Sequence, residues 1–462
     1  MTNNNGQLNK RVWIGLILFM FMGSMAANME SAYLSVFLND TVFEQGAMGS
    51  KITLTDAVNL RTSLAAIIGG ITAFVMGTLS EKLKNRKAFI SVGYIVWGIV
   101  AIFLGLARKE IIAKLFGYND SAEIITVTVV TIIGIALIMA FLRATSNDTV
   151  FNAWITDVTT PKTTTLVEAI YTVMGFVATG IIMAAISEAQ HTPLLYNIFV
   201  VMLGIFAIIV GVAGFFVIDN PKKFENKDED KVKTSYWADL FYGFRPKVIK
   251  ENIKLYLMLL AACAFNSSFQ TFYPYLFIYV SSVVVPANEG LELNIGGIAV
   301  IGIMAITIAV ETILILIKVG KQKKAYSFIP SIVCFVVGLL ILSVTKNIYL
   351  IVIGLAPALV GYIIIMVQFG ATVRDNIPQD RVGLFQGVRT IFQVLIPMVI
   401  GPTLGNIAAK NSDVTYMENG AEKVLPTEAM FLYAAIVAAF IFIPILAFLK
   451  KEKEKALKAM SE

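Results

Sequence analysis

Twelve runs of mostly apolar residues follow one another along this chain. They cover Val12–Leu38, Ala57–Leu79, Ala88–Leu106, Val127–Thr156, Leu166–Ser187, Tyr196–Ile218, Ile253–Ser281, Ile295–Ile317, Tyr326–Val344, Ile348–Val373, Leu384–Ala408 and Thr427–Leu449. A bilayer's hydrocarbon core is about 30 Å thick, which a helix crosses in about 20 residues at 1.5 Å each. No soluble core buries so many long apolar segments. Only 15% of the 462 residues are charged, against about 25% in an ordinary soluble domain. Each run is therefore read as one membrane-spanning helix, because a helix satisfies its own backbone in lipid.

The basic residues test that count. With a cytoplasmic N-terminus, 27 of the 37 Lys and Arg residues fall in inner segments, nine of them between Pro221 and Lys254. Outer loops hold seven, and Arg61, Arg143 and Arg389 lie within spans. Inner loops of membrane proteins carry such an excess. Losing or adding a helix would scramble it. The expected topology has both termini in the cytoplasm and the chain in the cytoplasmic (inner) membrane. The formal net charge of +6 thus reflects topology, and nucleic acid is not an expected partner.

Other classes drop out. Two cysteines in apolar runs, Cys263 and Cys334, and the one histidine, His191, give no disulfide framework and no metal site. No phosphate-cradling glycine loop with a Lys-Ser or Lys-Thr end is present. An enzyme and an ATP-driven pump are both disfavoured, and no cofactor is expected. The polar stretch Met1–Arg11 leads into the first apolar run without a small-residue cleavage site, so the first helix is read as retained.

One long polar interruption divides the spans six and six. The expected organisation is a six-helix bundle over 1–218, a cytoplasmic linker over 219–251, a second bundle over 252–449 and a tail over 450–462. Within the linker, Tyr236, Trp237, Leu240, Phe241 and Phe244 interleave with basic residues. Ser235–Lys250 reads as an interfacial amphipathic helix. The halves also match each other. A shift of 218 residues lays Asp157 on Asp375 and Glu168 on Gln386, each near a proline, Pro161 or Pro378, between consecutive spans. Many transporters are built from paired repeats, with the solute site near mid-membrane.

After span two comes Gly77-Thr78-Leu79-Ser80-Glu81-Lys82-Leu83-Lys84-Asn85-Arg86-Lys87. This resembles the signature loop of the major facilitator superfamily. Lys84 stands where a second glycine is common and Asn85 where a basic residue is. Asn147–Asp157, Gly243-Phe244-Arg245-Pro246, Pro274-Tyr275-Leu276, Gln386-Gly387-Val388-Arg389, Ile396-Pro397 and Gly401-Pro402 resemble a group of bacterial sugar-type permeases in that superfamily. The resemblance implies two pseudo-symmetric six-helix bundles. It also implies that Glu81 meets the positive N-terminus of span eleven, and that span four lines the cavity. Glycoside-cation symporters carry acidic residues inside span two, but here none follows Asp56, which argues against a sodium site of that kind.

Ionisable groups inside spans are costly and are functional candidates. They are Glu30, Arg61, Arg143, Asp148, Glu311 and Arg389. Ser24, Asn28, Ser31 and Ser35 make one polar stripe on span one, suited to lining a wet cavity. Glu30 lies about 130° away from it. Helical rise brings Glu30 and Arg61 to bridging depths, so Glu30 is read either as a structural partner of Arg61 or as a coupling carboxylate. Arg143, about 21 Å above the inner end of span four, either binds solute, tunes the proton affinity of Glu30 or Asp148, or holds spans one, two and four together. Glu311 and Arg389 have matched depths and read as a bridge or inner gate, and Glu81 and Asp157 as structural or gating residues. Asn266, Gln270 and Tyr273 share a face of span seven among aromatic rings. Amides beside rings suit a polyol, and ordinary packing is the competing reading. Pro274, Pro330, Pro357, Pro397, Pro402 and Pro444, all in the second half, point to a second half that bends more than the first.

The reading is a monomeric secondary transporter that moves a small polar solute, a sugar or glycoside, by alternating access with a coupled proton. Asn28, Arg143, Asn147, Asn266, Gln270 and Tyr273 are the candidate solute contacts. Glu30 and Asp148 are the candidate coupling carboxylates. An exporter of amphipathic compounds and a non-transporting membrane sensor are the alternatives.

Overall fold

The computed structural model of the chain describes residues 8–42, 54–117, 121–189, 192, 194–221, 241–279, 283–284, 287–288, 325–410, 415–418, 421–424 and 427–461. Span eight with Glu311, His191 and linker residues 222–240 lie outside the described residues.

The first half begins with α1 (Lys10–Asn28), a π turn (Met29–Tyr33), α2 (Leu34–Phe37) and a second π turn (Leu38–Val42). Next come α3 (Leu54–Lys82), α4 (Arg86–Leu106) and a short α5 (Lys109–Phe116). Then α6 (Ser121–Arg143) runs through an eight-residue π segment (Ala144–Phe151) into α7 (Asn152–Val158). The half closes with α8 (Thr164–Ala189) and α9 (Leu194–Val217).

The second half contains α10 (Pro246–Glu251), α11 (Ile253–Tyr279), α12 (Ala325–Leu342) and α13 (Ile348–Asn376). Beyond them lie α14 (Val382–Thr390), a π turn (Ile391–Leu395) and α15 (Ile396–Lys410). A hairpin of β1 (Thr415–Glu418) and β2 (Ala421–Val424) pairs Thr415 with Val424, and α16 (Ala429–Ala439) and α17 (Phe442–Ser461) complete the chain. Among the described residues ten helices are long and apolar enough to cross a membrane, and Ser327–Leu342 is a shorter apolar one. Among the described residues the hairpin is the exception to an all-helical fold.

The helices are apolar nearly all round. One side packs against neighbours, and the other leaves Ile99, Phe103, Val130, Ile209 and Phe216 exposed. Large apolar area of this kind is what lipid covers. Close packing in the first half rests on small residues. A Cβ at Gly98 would meet the main-chain oxygen of Gly204 on α9, so only glycine lets these two helices touch.

Of the helix expected over Ser235–Lys250, residues 235–240 lie outside the described residues. Its described part holds a 3₁₀ turn at Tyr242–Phe244, followed by α10 from Pro246. Proline suits the first helical position because it lacks the N–H that position leaves unbonded.

The chain forms two compact units that do not coincide with its halves. Unit 1 comprises 1–159, 174–243 and 378–390; unit 2 comprises 160–173, 244–377 and 391–462. Each unit thus takes in the first turns of one helix from the other half.

Candidate functional site

In unit 1 the π turn after α1 carries Glu30, and the π segment after α6 carries Asn147 and Asp148. A π turn widens the helix by one residue and lets a main-chain carbonyl go unbonded within it; such turns are frequent at functional sites. Arg143, the last residue of α6, ties the two carboxylates together. Its Nε donates to Glu30 Oε2 at 2.9 Å and its Nη1 to Asp148 Oδ2 at 2.6 Å. Trp97 on α4 donates its Nε1–H to Glu30 Oε1 at 2.9 Å. Both oxygens of the buried Glu30 carboxylate are thus engaged. Asp148 is more open, with a side chain 31% exposed against 9% for Glu30.

Asn147 is 3% exposed. It accepts from Tyr94 OH at 2.8 Å and donates to Asp148 Oδ1 at 3.0 Å. A Cβ at Gly23 of α1 would overlap its amide, so glycine makes room for Asn147 between helices. This burial fits a residue that orients Asp148. Asn28 sits on the polar stripe, donates to Ser24 O at 2.9 Å and accepts from Thr179 Oγ1 of α8 at 3.1 Å.

The expected Glu30–Arg61 side-chain pair is not formed. Arg61 donates from Nη1 to the main-chain oxygen of Glu30 and from Nη2 to Ser31 O at 3.3 Å. The π turn presents main-chain oxygens to Arg61, and the Glu30 carboxylate meets Arg143 instead. Trp97 and Tyr94 were not among the sequence candidates. Their signal was present as two polar-tipped aromatics three residues apart in an apolar helix, each needing a buried partner.

A second charged cluster lies where α3 turns into α4. Arg86, fully buried, reaches Asp157 Oδ2 at 3.2 Å and also binds Glu81 Oε2. Glu81 Oε2 accepts the main-chain N–H of Gly383 near the start of α14 at 2.8 Å. Gln386, one turn on, donates to Thr156 Oγ1 at 3.2 Å. Arg389 Nη1 lies 3.5 Å from Asn152 Oδ1. Its expected partner, Glu311, is outside the described residues.

Unit 2 holds the related contact. Arg374 of α13 is paired with Glu168 of α8, both buried, and Thr164 donates to Asp375 Oδ1 at 2.8 Å. The shift of 218 residues that lays Glu168 on Gln386 also lays Thr156 on Arg374. One contact is thus made twice, as an ion pair in unit 2 and as a neutral hydrogen bond in unit 1. On α11, Asn266 and Gln270 are half-buried and Tyr273 is exposed. Tyr273 stacks on Phe269 with centroids 4.7 Å apart, and Phe269 also meets Tyr362 at 5.0 Å.

A pair of six-span halves related by a 218-residue shift, charged groups held inside spans, and a Glu81-to-helix bond at one end are features of one class of membrane carrier. The chain belongs to the Major Facilitator Superfamily, whose sequence profile matches residues 12–402. It is accordingly a multi-pass membrane protein and a transporter rather than an enzyme. Its fold is similar to that of a bacterial homologue of the iron transporter ferroportin, solved outward-facing with soaked iron. That match has 12% identity and a TM-score of 0.65, over 96% of this chain and 99% of the other. It is also similar to the proton:xylose symporter XylE (12% identity, 94% and 96% of the chains, TM-score 0.65). The E. coli fucose:proton symporter FucP gives 14% identity over 94% and 98% of the chains, with a TM-score of 0.63. No curated protein sequence matches the chain.

Proposed function

We propose that this chain is a secondary active transporter that moves a small polar solute, a sugar or glycoside, across the cytoplasmic membrane by alternating access, coupled to a proton. The observation that carries the reading is the Glu30–Arg143–Asp148 triad, two carboxylates held on one guanidinium within apolar helices. A charge at that depth is retained only with a partner, and a proton changes the partnership. When Glu30 takes a proton, its hold on Arg143 weakens and the guanidinium becomes available to Asp148 or to solute. The more open Asp148 is the natural entry point for the proton, and Trp97 and Asn147 keep the two carboxylates apart and oriented. The likeness in fold to two sugar:proton symporters supports the solute class. The amides and rings of α11 suit a polyol, with hydrogen bonds at its edge and stacking on its face.

Proteoliposomes with an external pH dye test this. Adding a transported sugar to vesicles that contain the protein should alkalinise the outside. Glu30→Gln or Asp148→Asn should abolish the alkalinisation while solute counterflow continues. The ring cluster of Phe269, Tyr273 and Tyr362 favours one other reading, export of an amphipathic compound. Counterflow of a lipophilic cation, with no proton movement for any sugar, would select it.

A further inference from the structure

Arg61 is the unusual cation of unit 1. It is 3% exposed, yet every bond it makes is to a neutral oxygen. These are the main-chain oxygens of Glu30 and Ser31, Ser35 Oγ at 3.0 Å and Thr62 Oγ1 at 3.3 Å. Its Nε is buried and has no hydrogen-bond partner. Among the described residues no carboxylate lies within ion-pair distance of it, whereas Arg86 and Arg143 each hold two and Arg374 holds one. The Glu30 carboxylate acts on it only from beyond ion-pair distance, and a buried guanidinium with no anion in contact is seldom retained without a use.

Its surroundings are built for a ligand. Ser31 and Thr62 are exposed and Ser35 is half-buried, and the guanidinium bonds the hydroxyls of Ser35 and Thr62, so a rim of hydroxyls borders it. The rim continues the polar stripe of α1 through Asn28. Hydroxyls over a cation, with a free Nε–H below, can receive an oxyanion on both guanidinium and hydroxyl donors. Lipid offers nothing to such a surface.

The charge sum points the same way. Glu30 and Asp148 balance Arg61 and Arg143, so the cluster is neutral when all four are ionised. One proton on either carboxylate leaves it at plus one, and a bound monoanion restores neutrality. Proton and anion therefore favour each other's binding, and by the same factor in both directions. The charged groups in contact with Glu30 are Arg143, which also holds Asp148, and Arg61, on its main-chain oxygen. None of the others offers Arg61 a negative charge in contact.

We propose that Arg61 with Thr62 forms an anion subsite, and that the solute is an acidic sugar, a polyol carrying a carboxylate, taken up with a proton. This rests on the transport reading above and narrows its solute class. The subsite is tested by calorimetric titration of the purified, full-length transporter with D-glucuronate and with D-glucose, at pH 6 and pH 8. The wild type should bind glucuronate at least tenfold tighter than glucose, and the preference should be larger at pH 6. Arg61→Gln should reduce the ratio of the two affinities at least tenfold, and Arg61→Lys should restore part of it. Thr62→Val, at an exposed position, should cost the acid a few-fold and glucose nothing; it serves if Arg61→Gln does not fold. Equal binding of the two sugars, no binding of the acid, or equal weakening of both by Arg61→Gln would each overturn the subsite, the last marking Arg61 as a support for the π turn. Loss of proton movement in Glu30→Gln is a separate readout, so the coupling reading and the anion subsite can fail independently.

Discussion

The two halves of the chain interrupt their long helices by different means. In the first half α1 and α6 pass into π turns, and each turn bears an ionised side chain, Glu30 or Asp148. In the second half α11, α12, α13 and α15 contain Pro274, Pro330, Pro357 and Pro402, and rings crowd around Phe269 and Tyr362. The one π turn among the described residues of the second half, Ile391–Leu395, begins two residues after Arg389, so there too the turn accompanies a charge. The two devices are not equivalent. Proline removes a backbone donor for good and fixes a bend. A π turn keeps every donor and only shifts the bonding by one residue, so it can be undone. Among the described residues the first half is therefore interrupted by turns that can be undone, and the second mostly by bends that cannot.

The comparison is most exposed to a change at its charged centre. Glu30→Gln should lower proton-driven uptake by about 10²-fold or more, the scale of losing a proton-transfer group, while counterflow survives; unchanged proton movement would place the coupling elsewhere. The repeated contact gives the next largest effect. Arg374→Met strands the buried Glu168 carboxylate and should destabilise the protein by about 3–5 kcal/mol. Its counterpart in the repeat, Thr156→Val, should cost about 1 kcal/mol. Thermal unfolding in one detergent measures both, and equal losses would erase the distinction between the charged and neutral versions. Gly23→Ala comes third. The added methyl collides with Asn147 and should cost about 1–3 kcal/mol, with a weakened coupling of Asp148, read as a shifted pH profile of uptake. Pro274→Ala should have the smallest effect. It restores a donor in α11 and should alter the uptake rate while leaving the proton-to-solute ratio untouched; a changed ratio would show that the second half also senses the proton.

The spans could be read from the sequence because bilayer thickness fixes helix length. The 218-residue shift was legible from Asp157 and Asp375, and it goes on to relate Glu168–Arg374 to Gln386–Thr156 in three dimensions. What the sequence hid was azimuth. At 1.5 Å per residue Glu30 and Arg61 reach bridging depths, but each π turn rotates the residues beyond it, and no residue type announces such a turn as proline announces a kink. The partner of Glu30 therefore proved to be Arg143, whose depth was known but whose direction was not. Trp97 and Tyr94 escaped notice for a different reason: an aromatic residue in an apolar helix reads as packing until its polar tip is seen to meet a carboxylate or an amide.

The exchange of segments between the units bears on any attempt to take the protein apart. A gene cut in the linker would yield a first half lacking residues 378–390, which belong to unit 1. Glu81 would then have no Gly383 N–H to accept from, and Thr156 no Gln386. The second half would lack 160–173 and leave Arg374, 1% exposed in the intact chain, without its carboxylate. Neither product is an autonomous domain. Each is a template completed by the other, and the two should regain activity only when made in the same cell.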